Sequence, residues 1–391
     1  MDIGVFVFNR ETFAKAKQIK GYGSYQEMSS FPSVEEPKKV NGENSLKVKP
    51  TIIENLGEYI SFINKINTTY ANPVFYRGQP NADYLLTPNC LRINPKNEHL
   101  MIEAFYRKFF DELNQCNSSM EKLMVMQHFH LPTRCLDITE SPLIALYFAC
   151  SRMKKFRREI IEPQDEQDWG EVILFREPSD KEHKPEKLKS IESSNISIIA
   201  STAYMEEDFS LWHLGARWKK DVDLGHDEKY IDLKSIVRCS YIVRVPHNNI
   251  RIKNQQGAFI MANANMAYIE DQELTPEALT KIILKSDDYI NYYDLMNKKV
   301  NLNEKETWKL RFKKVTPYSD ENTLPIFQTD PFDFRRLFYK EKGVQQVILI
   351  PPSSKKSILE ELKRLNITED FVYPDMDNVA NEINEQINKP K

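Results

Sequence analysis

The chain has 391 residues, a formal net charge of −3 and a 41% hydrophobic fraction, which suits a folded protein of two or three domains or one long domain with inserts. That charge excludes a globally basic nucleic-acid surface, and apolar runs of about eight residues fall short of the roughly 20 needed to span a bilayer. Only 11 glycines occur, well under the usual share of about 7%, and no GxGxxG or GxxxxGK is present, so Rossmann and P-loop phosphate cradles are excluded.

In chain order, the alternation of Val5 and Val7 with Phe6 and Phe8 predicts a strand. Gly21 to Pro50 has the composition of a linker or arm. Apolar residues at three- and four-residue spacings predict helices over Thr51–Tyr70, Glu98–Asn114 and Met120–His128. Another runs from Ser141 to about Glu159, with Pro142 in its first turn and Ser141 or Thr139 as its cap. Strands are predicted at Val74–Gly78, Glu171–Phe175, Tyr241–Val245, Ala258–Met261, Ala267–Ile269 and Val347–Ile350. Closing helices are expected at Ser357–Leu365 and near Asp377–Ile387. This is an α+β pattern, without strict βα alternation.

Met1-Asp2 precedes a short apolar stretch without a basic n-region, so no signal peptide is expected. Cys90, Cys116, Cys135, Cys150 and Cys239 are odd in number and widely spaced. They point to a reducing cytoplasm and away from a zinc site or a disulfide framework.

Two segments concentrate chemistry. In Phe75-Tyr76-Arg77-Gly78-Gln79 an arginine follows a strand beside glycine and an amide. That combination suits bidentate binding of phosphate where backbone approaches closely, or a pairing with a buried carboxylate. The second runs from Gln127 through His128, Phe129, His130, Thr133, Arg134, Asp137, Thr139 and Glu140 to Ser141, between apolar helices. Polar side chains so placed must form a network. His128, Arg134 and Asp137 can supply a general base, an anion clamp and an orienting carboxylate, or simply pin a loop. His128-x-His130 lacks a third ligand at readable spacing, so no metal is expected.

These motifs resemble the FRG family. The resemblance runs from Phe75-Tyr76-Arg77-Gly78-Gln79 through Gln127-His128, Leu131-Pro132-Thr133-Arg134, Leu136-Asp137, Thr139 and Ser141–Ala149. It continues with Gln255-Gln256-Gly257-Ala258-Phe259, Ile350-Pro351 and Tyr373-Pro374-Asp375. An extra Tyr76, His130 where glycine is common and Ile138 where tryptophan is common are the departures. The resemblance implies one FRG-like domain over 51–391 with an insert around 270–340, preceded by an arm over 1–50. Its bacterial setting implies a role in stress or phage defence.

The motif order is also similar, more distantly, to ADP-ribosyltransferases. That likeness implies a mixed, split central sheet with packed helices, and NAD as substrate. Arg77 would hold the pyrophosphate with Gly78, Gln79 and Arg134 nearby, the Thr139 and Ser141 hydroxyls would orient the ribose, and Tyr76 or Phe129 would stack on a ring. Gln256 stands where a catalytic glutamate is expected. A carboxylate from elsewhere (Asp137, Glu140 or Glu103) must then stabilise the transition state, or the domain binds a nucleotide without fast turnover. Three functions follow: an NAD-dependent transferase acting on a protein or nucleic-acid acceptor, a non-enzymatic nucleotide-sensing or protein-interaction module, and a phosphate-ester hydrolase using His128 and Asp137. None calls for a membrane.

Overall fold

The computed structural model describes residues 6–8, 46–68, 72–82, 86, 88, 90, 97–129, 131–151, 169–177, 189–190, 194–206, 208–210, 213–214, 217, 230–232, 239–246, 250–263, 266–269, 299–301, 311–314 and 334–374. Its first half contains β1 (Phe6–Phe8), β2 (Leu46–Ile52), α1 (Leu56–Ile63), β3 (Phe75–Gln79), α2 (Glu98–Lys108), α3 (Phe110–Asn114), α4 (Ser119–His128), β4 (Cys135–Thr139) and α5 (Pro142–Cys150). There follow β5 (Gly170–Phe175), β6 (Lys189–Ser190), α6 (Ser194–Ala203), β7 (Asp208–Ser210), β8 (Tyr230–Asp232), β9 (Tyr241–Arg244), α7 (Ile250–Asn254) and β10 (Gly257–Met261). The last part holds β11 (Met266–Ile269), β12 (Lys299–Asn301), β13 (Arg311–Lys314), α8 (Phe334–Leu337), β14 (Lys340–Glu341), β15 (Val344–Ile350), α9 (Pro352–Arg364) and α10 (Glu369–Val372).

Ten strands form one open sheet in the order β1-β2-β15-β5-β3-β4-β10-β9-β6, with β14 folded back on β15. The β15–β2 and β6–β9 pairs are parallel and the others antiparallel, so the class is α+β with a mixed sheet. β12 and β13, in the region expected as an insert, pair with strands before it, β12 with β8 and β13 between β11 and β7, in small sheets apart from the large one.

Side-chain alternation along each strand sorts the core. On one face, Phe75, Leu136, Ile138, Ile173, Phe175, Ile242, Ala258 and Ile260 pack against Phe334 and Leu337 of α8. The opposite face carries two helical clusters. Tyr76, Val172, Leu174, Ile348 and Ile350 pack under α1, α5 and α9, while Cys135, Tyr241, Val243, Phe259 and Met261 pack under α2, α4 and α6.

These halves meet between β3 and β4. β3 registers with β5 over five residue pairs and β4 with β10 over five, but β3 and β4 share the single pair Tyr76↔Thr139. The expected split is therefore a narrowed junction inside one sheet. Past that pair, the Arg77 Nη1 donates to the Asp137 carbonyl at 2.6 Å, a side chain standing where a ladder bond would otherwise form.

Gly78 is set by this packing. A Cβ built there would lie 1.8 Å from the Ala145 carbonyl oxygen and 2.7 Å from the Ala149 nitrogen. β3 therefore lies directly against the backbone of α5, and only glycine fits.

Several elements differ from expectation. Residues 51–52, expected as helix, finish β2, and helix α1 begins only after Asn55, whose side chain accepts from Glu58 N–H. Leu46, Val48 and Ile52 fall at even spacing, which is strand periodicity. The long second helix breaks at Phe109, whose φ of −126° and ψ of 45° lie outside the helical region. β4 lies in the polar segment from Gln127 to Ser141, where no strand was placed, and α6 was not expected. The α5 start is as read: Ser141 Oγ accepts from Ile144 N–H and Pro142 occupies the first turn. His130, the basic run 152–158, Trp212, Trp218, Asp375 and the helix near 377–387 lie outside the described residues.

Candidate functional site

Asp137 occupies the middle of β4, a central strand whose other four residues are buried, yet it is exposed. It shares a face with Cys135 and Thr139, so its side chain points to the helix-bearing side of the sheet. An exposed residue in the middle of a central strand requires an opening in the layer above it. That opening lies at the β3–β4 junction, where the two helical clusters meet.

A relay fixes the carboxylate. Thr133 Oγ1 accepts from Cys135 N–H at 3.2 Å and donates to Gln127 Oε1, and Gln127 Nε2 donates to Asp137 Oδ1 at 2.7 Å. Because the hydroxyl donates to the amide oxygen, the amide nitrogen is turned to the carboxylate. The next residues of the α4 end, half-buried His128 and 62% exposed Phe129, put two rings in edge contact at 5.1 Å beside this relay.

The opposite wall comes from far along the chain. The Gln255 side chain donates to Val372 O at 2.9 Å and Asn254 donates to Phe371 O at 2.8 Å, tying α10 to the end of α7. Tyr373 follows, edge-on to Phe148 of α5 at 6.1 Å, with the Arg251 guanidinium over its ring at 5.2 Å. Burial pushes the Tyr373 hydroxyl up to about 12. Arg251 opposes that shift, and Asp137 and Glu369 add to it. Tyr373 thus stands in the fields of a cation and the junction carboxylate together, and it stays a neutral donor across ordinary pH.

Arg251 is half-buried. Its guanidinium makes no hydrogen bond or ion pair, among the described residues, beyond its place over Tyr373. Sequence reading passed over Arg251, and it placed Tyr373 in a motif without giving it a role.

The other expected residues are committed to the fold in various ways. Arg134, expected as an anion clamp, is buried and forms a two-point ion pair with Glu98: Nε to Oε1 at 2.9 Å, and Nη2 to Oε2. Its Nη1 donates to Ile199 O at 3.3 Å and to Thr202 Oγ1 at 2.6 Å. Tyr76 is buried in the core under α5, and burial pushes its hydroxyl up to about 12. Gln79 is buried in β3, and Gly78, expected at a ligand, faces α5. Thr139 Oγ1 donates to Gln255 O at 2.5 Å and accepts from Ser141 N–H at 2.9 Å, while Ser141 caps α5.

Gln256 is exposed in a turn at φ 45°, its carbonyl accepting from Glu140 N–H at 2.9 Å. Arg77 and Gln256 flank the Tyr76–Thr139–Gly257 row on opposite sides. With strands about 4.8 Å apart, their backbones are separated by about 10 Å or more. Glu140 is paired in two points with Arg244 at 2.8 and 3.2 Å, and Glu103 pairs with Arg107 along exposed α2. Among the described residues no three metal-ligating side chains converge, and no helix is long and apolar enough to cross a membrane.

One side of the junction is built from one stretch of chain: β3 with its arginine, the α4–β4 relay and α5. A family model for the FRG domain matches residues 72–158, which covers these elements. Over residues 72–158 the chain carries an FRG domain. No curated protein and no solved structure matches it.

Proposed function

We propose that the β3–β4 junction binds NAD or a closely related nucleotide, and that Asp137 is the carboxylate that serves ADP-ribosyl transfer to a macromolecular acceptor. The observation that carries this reading is the exposed, amide-oriented Asp137 at the centre of the sheet. Of the three carboxylates considered from sequence, Glu140 is neutralised by Arg244 and Glu103 by Arg107. Asp137 alone among them combines exposure with a fixed orientation at the opening.

In the transfer, the bond between ribose C1′ and the nicotinamide nitrogen breaks with its electron pair leaving on nicotinamide. The ribose carries oxocarbenium character until an acceptor nucleophile attacks. A preorganised carboxylate beside that centre stabilises the developing positive charge. Arg77, through its bond to the Asp137 carbonyl, braces the strand that carries it.

The test is incubation of pure protein with labelled NAD and cell lysate, following label transfer and nicotinamide release. Asp137→Asn should lower the rate by about 10²–10³-fold, the usual scale for losing one preorganised electrostatic group. A rate unchanged in Asp137→Asn, or no activity above an Arg77→Ala control, rejects the transferase. A second reading, nucleotide binding without turnover, is favoured by the Thr139 and Ser141 hydroxyls, both engaged within the fold. Calorimetric binding of NAD with no nicotinamide release would select it, and absence of any nucleotide binding would reject both.

A further inference from the structure

The geometry points to Arg251 as the anion-binding residue of this junction, which makes its ligand a nucleoside diphosphate and not a nucleoside; this inference rests on the nucleotide reading above. Besides Arg244, which is taken up by Glu140, three arginines lie close enough in sequence or space to be considered. Arg134 is enclosed by Glu98, Ile199 O and Thr202, and Arg77 has Nη1 on the Asp137 carbonyl. Arg251 differs from both. It is half-buried over Tyr373, and among the described residues no carboxylate or carbonyl is bonded to its guanidinium.

A half-buried guanidinium held over a ring has lost part of its hydration and rotamer freedom in advance. Among the described residues no group occupies its N–H fork, whose geometry suits a bidentate oxyanion such as a phosphate. Holding it there is the work of α10. The Asn254 and Gln255 amides grip the Phe371 and Val372 carbonyls, so the family's Gln255 acts as a fastener for Tyr373.

The charges also set a direction across the site. Asp137 lies on β4 and is acceptor-only when ionised, suited to ribose hydroxyls. Arg251 lies on α7 with the neutral Tyr373 between the two fields. A ligand satisfying both ends needs a hydroxyl-bearing sugar at one end and a doubly charged anion at the other. ADP-ribose and NAD meet that requirement; adenosine does not.

Isothermal titration with ADP-ribose, NAD, adenosine and inorganic pyrophosphate tests this on the full chain. Arg251→Ala, and Arg251→Gln which keeps a planar group of similar reach, should each weaken ADP-ribose at least tenfold. Adenosine binding should be unchanged, as should the urea midpoint. Pyrophosphate should displace ADP-ribose from the wild type. If both variants bind ADP-ribose as the wild type does while Asp137→Asn loses it, Arg251 is not the anion site and the junction reading survives. If the wild type binds none of the four probes, the junction reading itself fails.

Discussion

Replacing Arg134 by methionine separates a structural arginine from a ligand-binding one. The substitution keeps most of the side-chain volume and removes the charge. It leaves Glu98, 1% exposed, with its two carboxylate oxygens stripped of their cation, and leaves Ile199 O and Thr202 Oγ1 without that donor. Breaking a buried pair on one side costs about 3–5 kcal/mol, a large share of the roughly 5–15 kcal/mol that holds a typical protein folded. With a urea m-value of about 3 kcal/mol/M, the denaturation midpoint should fall by about 1–1.7 M. Arg134→Met combined with Glu98→Leu removes both charges, and should recover at least half of that loss. ADP-ribose affinity, measured at low denaturant where the variant is folded, should match the wild type. A normal midpoint with lost affinity would refute this account and return Arg134 to the ligand.

Gly78→Ala should destabilise by about 3 kcal/mol or more, at or above the usual range for overpacking, because the new Cβ meets the α5 backbone, which cannot rotate away as a side chain can; a urea midpoint within error of wild type would show that β3 and α5 are not in contact. The buried tyrosines predict an alkaline transition. Burial holds Tyr76 and Tyr373 protonated up to about 12, above the usual 10. Their folded-state values are raised, so their contribution to stability is complete below pH 10 and is lost as pH climbs from 10 towards 12. Phenolate absorbance should rise together with loss of near-UV circular dichroism, and early, fully reversible ionisation of every tyrosine would contradict the burial.

How legible each part was in the sequence depended on the range of the interaction that decides it. Helix α5 could be read because its cap, its Pro142 and its apolar run are contiguous. β3 showed through its aromatics. β4 did not, because Thr133, Arg134 and Asp137 give it the polarity of a loop, and their satisfaction comes from Glu98, Thr202 and Gln127. Burial of Arg134 depends on Glu98 at the start of α2, which no local pattern signals. Gly78 was singled out for a ligand, and in the fold it lies against the α5 backbone. Arg251 carried no motif at all. Its one clue was proximity to Gln255-Gln256, and its meaning depends on Tyr373, far along the chain. β2 was hidden because Thr51 and Ile52 extend the helical spacing of the residues after them.

The single-pair junction also bears on what the matched segment can do alone. Residues 72–158 supply β3 and β4 but not the strands that saturate them: β3 is completed by β5 and β4 by β10, both outside the match. Excised, the segment would carry two strands joined at one rung, each with a bare edge of unsatisfied N–H and C=O groups and an apolar face. Such edges invite pairing between molecules, and two strands are too few for independent stability. The recognisable family unit is thus the middle of a sheet, not an autonomous folding unit. In this chain β5 and β10 enclose it on both sides.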